Sequence, residues 1–531
     1  MDSLLPTTAR ASIQKAIDLI QKTSAYPVLH QFYQRSSRNE LLVIGGATFL
    51  TLYNLISYVN SKRQKLHLPP RVAYGLPLVG HLPYILYDGS RFLDWCVDKY
   101  GEVFDLSFPS GVVTVTSGRS AEEALKADSK DLSLEKGVLE DTLFMHYVFD
   151  PMTFEVAFNV NPGVAKDVVA ASMMPTYTAG ILRGLDRAIE ERLGGKDRVV
   201  IDKPSQFLQR FVGYMSVPTL LGDELETNRE VIQSFAEFTG DVTNNVAVFL
   251  TVPNFLHRFI LPYLQRVHHH RQVMRDHVMP VVRARRQKMR EAEARGEPHN
   301  LPKNFLQGLT EYKKPDGSQY EDDEVARTVL MIAFAAVHTT SMNLSFCLHW
   351  LMARPDLKAA LEKEIQQVIG DGPITDEGLK QMTFLDQFVR ESLRQSVDKL
   401  ANSKKVLPEQ GYTFQNGYQV PQYRVVQSMN RQLNLGLNVN REDIKDMDPN
   451  ASGTKSSTTP SRDFVTFGLG RHLCPGRFFA VHEIKLSLIT LLRKYEINTL
   501  SGKPPKPVQY LMGYVAVNSE EPIVFTKKNH H

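Results

Sequence analysis

The chain has 531 residues, enough for several average domains, yet no Pro/Gly/Ser-rich linker or low-complexity tract divides it after residue 70, so one large domain is expected. Its 62 basic and 58 acidic residues leave a formal charge of only +4, and 42% of residues are hydrophobic, so a sizeable core is available and a nucleic-acid partner is excluded. Three cysteines without a C-x-x-C pair exclude a disulfide framework and structural zinc and point to a reducing compartment.

Residues 1–40 come first. Ile13, Ala16, Ile17 and Ile20 share one helical face there, which suits a membrane-surface helix or an ordinary amphipathic one. Residues 41–61 carry no charge and are long enough for a transmembrane anchor, which needs about 20 residues. A buried core helix is the alternative. Lys62, Arg63, Lys65 and Arg71 follow the run, against Arg35 and Arg38 before it, so the positive-inside rule places the remainder in the cytosol. The chain does not open on a charged n-region, which argues against a cleaved signal peptide. Residues 62–81 read as a basic, proline-stiffened hinge, and 82–531 as the catalytic domain.

Within that domain, helical periodicity dominates from Ala121 to Arg394, with short strands expected at 103–108, 112–116 and within 405–426. The expected fold class is therefore mostly α with small β-sheets. Cys96 and Cys347 sit in apolar helical contexts and are assigned to core packing. Between Phe235 and Leu264, residues Phe238, Val246, Phe249, Phe255 and Phe259 suit either a lid over an apolar ligand or ordinary core. His268, His269 and His270 lie in a basic helical stretch and are expected on a solvated face rather than in a metal site. Residues 321–354 read as one long helix, apolar at Val329, Ile332, Ala333, Ala336, Leu344 and Leu348. At its middle, Ala335-Ala336-Val337-His338-Thr339-Thr340-Ser341 sets β-branched and hydroxyl side chains in sequence. Such residues can bond the preceding carbonyls and bend or open the ladder, an entry point for water or dioxygen. Glu391 and Arg394, three apart, share a helical face and can pair. Asn416-Gly417 marks a tight type I′ hairpin turn between Tyr412 and Val420.

Near the carboxyl end, Phe467, Gly470, Cys474 and Gly476 stand in the order F-x-x-G-x-x-x-C-x-G. A helix predicted over 475–495 would start on Pro475, which needs no amide donor at the first helical position. Cys474 then sits at the helix amino end, where free amides and the helix dipole favour thiolate. Gly470 and Gly476 lack Cβ, which lets backbone pass close to a flat, bulky cofactor and adopt turn conformations closed to other residues. The competing assignment is a buried structural cysteine in a Gly-rich turn.

This pattern resembles the haem-binding loop of the cytochrome P-450 family. The resemblance implies the family's fold behind a single transmembrane helix, haem b with Cys474 as axial thiolate ligand, and cofactor contacts from Phe467, Gly470, His472 and Gly476, with His472 near a propionate. It also implies that Glu391 and Arg394 form the E-x-x-R pair bracing the thiolate side. Residues 335–339 are similar to the family's oxygen-activation motif, with Thr339 and His338 as the catalytic pair acting on dioxygen. His338 stands where an acid is usual, and histidine also donates and accepts protons near neutral pH. A third arginine, expected in a Pro-Glu-Arg-Phe-like segment, is missing between 428 and 449, with Arg441 the best stand-in. The His-Thr-Thr sequence is similar to a fungal branch resembling ent-kaurene oxidase. The resemblance as a whole implies a monooxygenase of the endoplasmic-reticulum membrane, in contact with lipid and fed by an NADPH-cytochrome reductase, with Arg471 and Arg477 as docking charges. Its substrate would be a hydrophobic small molecule, terpenoid favoured over polyketide, indole-derived metabolite or xenobiotic. The lost acid leaves an isomerase or dehydratase as an alternative, and the missing arginine a catalytically silent haem-binding membrane protein.

Overall fold

A computed structural model describes residues 66–77, 79–108, 111–142, 145–147, 149–243, 259–260, 267–436, 447–511 and 514–528. The amino-terminal segment and anchor (1–61), the start of the hinge (62–65), Val246, Phe249, Phe255 and Arg441 lie outside the described residues.

The hinge does not stand apart from the domain. Val72 donates its amide to the Asp105 carbonyl at 3.0 Å, and buried His81 accepts the Ser107 amide on Nδ1 at 2.9 Å. These bonds seat residues 71–81 along strand β1 (Val103–Phe108), beside helix α1 (Leu82–Tyr100), whose buried face carries Cys96. β1 opens a five-stranded sheet of order β1-β2-β8-β5-β3, with β2 at Gly111–Thr116, β3 at Leu132–Ser133, β5 at Ala401–Val406 and β8 at Val425–Ser428. Every pairing is antiparallel except β2 with β8, which is parallel. The Asn416-Gly417 hairpin joins β6 (Tyr412–Thr413) and β7 (Gln419–Val420), but its turn is not type I′. Gly417 donates to the Phe414 carbonyl at 2.8 Å and takes φ +87°, whereas Asn416 keeps a negative φ and uses its side chain to accept the Tyr418 amide. A type I turn followed by a left-handed glycine needs only one residue with positive φ. A smaller sheet, β4-β12-β9, joins Arg198–Ile201, Ile523–Lys527 and Tyr495–Thr499; the remaining hairpin pairs β10 (Gln509–Leu511) with β11 (Val515–Val517).

The helical body packs around α4 (Pro204–Leu221), which is apolar on most of its circumference and buried from Phe211 to Leu221. Against it lie α3 (Met174–Leu193), α5 (Arg229–Thr243) and the long helix α7 (Asp322–Ala353). α3 and α4 cross so closely that a Cβ on Gly184 would fall 2.3 Å from the Tyr214 carbonyl oxygen. α7 opens on a capping box between Glu321 and Glu324 and runs without a break to Ala353, so the hydroxyl residues at its middle do not open the ladder. Among the described residues it is also the one helix long and apolar enough to cross a membrane, and most of that span is buried in the core. Phe235 and Phe238 of α5 are wholly buried, which places both in the core, whereas Phe259 is exposed. The histidine run divides within α6 (Val267–Val273). His268 and His269 are exposed, but His270 is buried between Ser234 and Asp241, so only two of the three lie on a solvated face.

Candidate functional site

The cysteine loop is a set of turns that aim one sulfur. Gly468 (φ +79°) donates to the Val465 carbonyl at 2.8 Å, and the Cys474 amide donates to the Phe467 carbonyl at 2.8 Å. Gly470 takes φ +66°, and a Cβ there would meet the Cα of Lys126 at 3.1 Å. Glycine is thus required by both conformation and space, as the loop crosses the end of α2 (Gly118–Lys126). Gly476 differs, with φ −78° and ordinary clearance from the Cys474 sulfur.

The helix after the cysteine, α10, spans Arg477–Lys494 with Gly476 as its N-cap, so it begins two residues later than Pro475 predicts, and Tyr495 already belongs to β9. The backbone amides of Gly476 and Arg477 nevertheless reach Sγ of Cys474. Burial still dominates: it pushes the thiol pKa up, with those amides and the Arg477 charge pulling the other way, so the lowered pKa expected from the helix terminus does not appear in the protein alone. Arg477 is itself pinned, donating to the carbonyls of Cys474 at 2.9 Å and Thr458 at 3.1 Å. Of the two expected docking charges only Arg471 remains exposed, paired with Asp128 at 2.6 Å.

Behind the loop lies α8 (Thr383–Gln395). Glu391 and Arg394 form a buried bidentate pair at 2.7 and 2.8 Å, and Gln395 donates to the same carboxylate at 2.8 Å. The preceding residue, Arg390, is fully buried. Its guanidinium donates to the Ser456 and Thr459 carbonyls at 2.7 and 2.8 Å and lies 4.0 Å over the Phe464 ring.

On α7, Ala335 and Thr339 are exposed, although Ala333, Val337, Thr340 and Ser341 around them are buried. Exposure one turn apart at the middle of a core helix marks the wall of an interior cleft. Thr339 Oγ1 donates to the Ala335 carbonyl at 2.7 Å, which leaves its lone pairs for a donor in the cleft. Among the described residues no charged neighbour supports a proton on His338, and burial lowers its pKa. α7 packs against both α8 and α10, the two helices that flank the cysteine loop in the chain.

One functional candidate was missed in the sequence. Lys404 on β5 is 2% exposed, donates only to the Leu125 carbonyl at 3.1 Å, and among the described residues has no carboxylate partner. Burial pulls its pKa down to about 8. Its charge acts on His472, whose Nε2 lies 2.9 Å from Ser129 Oγ. A buried ammonium without an acid is a site for an anionic group, and beside the cysteine loop it fits a haem propionate. The signal lay in Lys404-Lys405: consecutive residues of a strand point to opposite faces, so one lysine had to turn inward.

A family model described as Cytochrome P450 matches residues 70–526. The curated protein "Cytochrome P450 monooxygenase ataF" of Aspergillus terreus is 26% identical over 66% of this chain and 73% of its own length. "Cytochrome P450 monooxygenase 151" of Postia placenta is 23% identical over 83% of this chain and 90% of its own length. "Cytochrome P450 monooxygenase paxP" of Penicillium paxilli is 25% identical over 84% and 86%.

Proposed function

Because the chain belongs to the cytochrome P450 family, we propose that it is a haem-thiolate monooxygenase of fungal secondary metabolism, anchored by residues 41–61 in the endoplasmic-reticulum membrane and supplied with electrons by an NADPH-dependent reductase. The observation that carries this reading is the cysteine loop, in which the left-handed turns at Gly468 and Gly470 set the half-buried Cys474 beside the backbone amides of Gly476 and Arg477, which favour its charged form. When bound, haem supplies dioxygen activation and oxidation of a substrate C–H bond. Cys474 Sγ would ligate the haem iron, and those amides would stabilise its negative charge. Lys404 and His472 would bind the propionate carboxylates, and the charge that burial penalises in Lys404 would gain its missing partner. Thr339 Oγ1 can accept a hydrogen bond from a donor in the cleft while its own O–H donates to the Ala335 carbonyl. Neutral His338, one residue before it, can take a proton on one ring nitrogen and release one from the other, doing with imidazole what a carboxylic acid does with one group.

The substrate is a hydrophobic small molecule, and the His-Thr-Thr sequence favours a terpenoid. Three measurements test the reading. Membranes carrying the chain should give the red-shifted Soret band of a thiolate-ligated carbon monoxide complex on reduction, and Cys474→Ser should abolish it. Co-expressed with a reductase and fed diterpenes and polyketides separately, the chain should oxidise the former; oxidation of polyketides alone overturns the terpenoid assignment. Thr339→Ala should lower product formed per NADPH consumed, and an unchanged ratio would remove Thr339 from proton delivery.

A further inference from the structure

Among the described residues between β8 and the cysteine loop, no arginine bonds Glu391, yet the Glu391–Arg394 pair is firmly held. Its partner comes from α9 (Asn430–Leu435), where Asn434 is 2% exposed and every polar atom of its side chain is used. Its Nδ2 donates to the Arg394 carbonyl at 3.0 Å and to Thr466 Oγ1 at 3.3 Å, and its Oδ1 accepts the Val465 amide at 2.8 Å. Its own carbonyl takes a bond from the Arg394 guanidinium. Thr466 closes the circuit by donating to the Leu393 carbonyl at 3.0 Å.

One short side chain therefore joins the end of α8 to residues 465 and 466, immediately before the turns that aim Cys474. We propose that Asn434 is the positioning residue that fixes the cysteine loop on the Glu391–Arg394 pair, the task otherwise assigned to a third arginine, and thereby sets the geometry of the sulfur. An arginine would reach the carboxylate as a charge. Here Gln395 makes the extra bond to Glu391, and Asn434 bonds backbone on both sides without adding a charge of its own to the buried pair. Arg390 grips residues 456–461 independently, which makes loss of Asn434 a local event.

The inference rests on the haem-thiolate reading for its consequence but not for its measurement. Hydrogen exchange of the full chain, followed by mass spectrometry, should show amides of 464–474 in Asn434→Ala exchanging about tenfold faster or more, while those of α4 and α7 keep the wild-type rate. Asn434→Asp, which keeps the acceptor for the Val465 amide and loses the donor, should fall between. In parallel, the fraction of bound haem giving the thiolate-type carbon monoxide band should drop in the same order. Wild-type exchange in the loop of Asn434→Ala overturns the proposal, as does acceleration spread evenly over the chain, which would mark a plain structural brace. If Asn434→Ala does not accumulate, Asn434→Asp decides alone: loop exchange equal to wild type overturns the proposal. A wild-type chain without the thiolate band removes the functional reading, and the exchange data still decide the role of Asn434.

Discussion

A lysine sealed in protein without an acid lowers the stability of the chain that carries it, so Lys404 has a sign that differs between haem-free and haem-loaded protein. Its folded pKa, about 8, lies below the ordinary 10.5, so the unfolded chain binds more protons between those values and at neutral pH the whole penalty is felt. That penalty amounts to roughly 3 kcal/mol at most. Lys404→Met should therefore raise the melting temperature of the haem-free protein at pH 7. The same change removes a partner for the propionates and should weaken haem retention about tenfold, read as the rate of haem transfer to excess apomyoglobin. Retention equal to wild type would separate Lys404 from the cofactor. Cys474 illustrates the same balance from the opposite side, since burial raises its thiol and two amides and one guanidinium oppose it.

At the scale of elements, α8 is the part on which the site is built, because successive turns face different partners: Asp386 meets Lys485 of α10 at 2.6 Å, Arg390 holds 456–461, and Glu391 with Arg394 reaches α9. Glu391→Ala would leave the Arg394 guanidinium buried with only neutral acceptors, and breaking a buried pair from one side costs about 3–5 kcal/mol. Chemical denaturation of that variant should show a fall of this size, and one under about 1 kcal/mol would mean that Arg394 finds water instead. The pair was legible in the sequence because both members lie within one turn of one helix. The partners of Arg390 were not, since they stand 66 to 71 residues away on irregular backbone, where no periodicity reports a contact. The same limit hid Asn434, whose bonds span 31 to 40 residues, and hid the burial of His270, which depends on α5 lying against α6. Strands β1 and β2, the core helix α7 and the cysteine loop were readable because each is declared by local pattern. The start of α10 was not, since proline at 475 is compatible with a turn as well as with a first helical residue.

Across the whole molecule, several histidines are held neutral by burial, among them His81, His349 and His482, and His81 and His482 tie separate elements together. His482 of α10 is the strongest case. Its Nε2 lies 2.9 Å from Thr178 Oγ1 of α3, and Thr178 also donates to Asp376 at 2.8 Å. Burial lowers its pKa to about 4 from 6.5, with Asp376 opposing the shift and Lys485 adding to it. Between those values the unfolded chain binds the extra proton, so stability from this group is complete above pH 6.5 and drains away as pH falls toward 4. Asp398, raised to about 6 by burial, and the buried acid Glu483 work in the opposite direction, because each takes up a proton more readily folded than unfolded. The bare pH profile of stability therefore mixes opposing groups, and the informative quantity is a difference between variants. His482→Gln cannot titrate, while Asp398 and Glu483 remain in both proteins. From pH 7.5 to pH 5 the wild type should lose about 2 kcal/mol relative to His482→Gln, from 1.5 pH units below the free-histidine value at about 1.4 kcal/mol each. Melting curves of the two proteins across that range measure it. A gap that stays constant with pH would mean that His482 titrates in the folded state as it does unfolded, and a gap that moves the other way, the wild type gaining as pH falls, would mean a protonated ring paired with Asp376, joining α3 and α10 through an ion pair rather than a neutral ring.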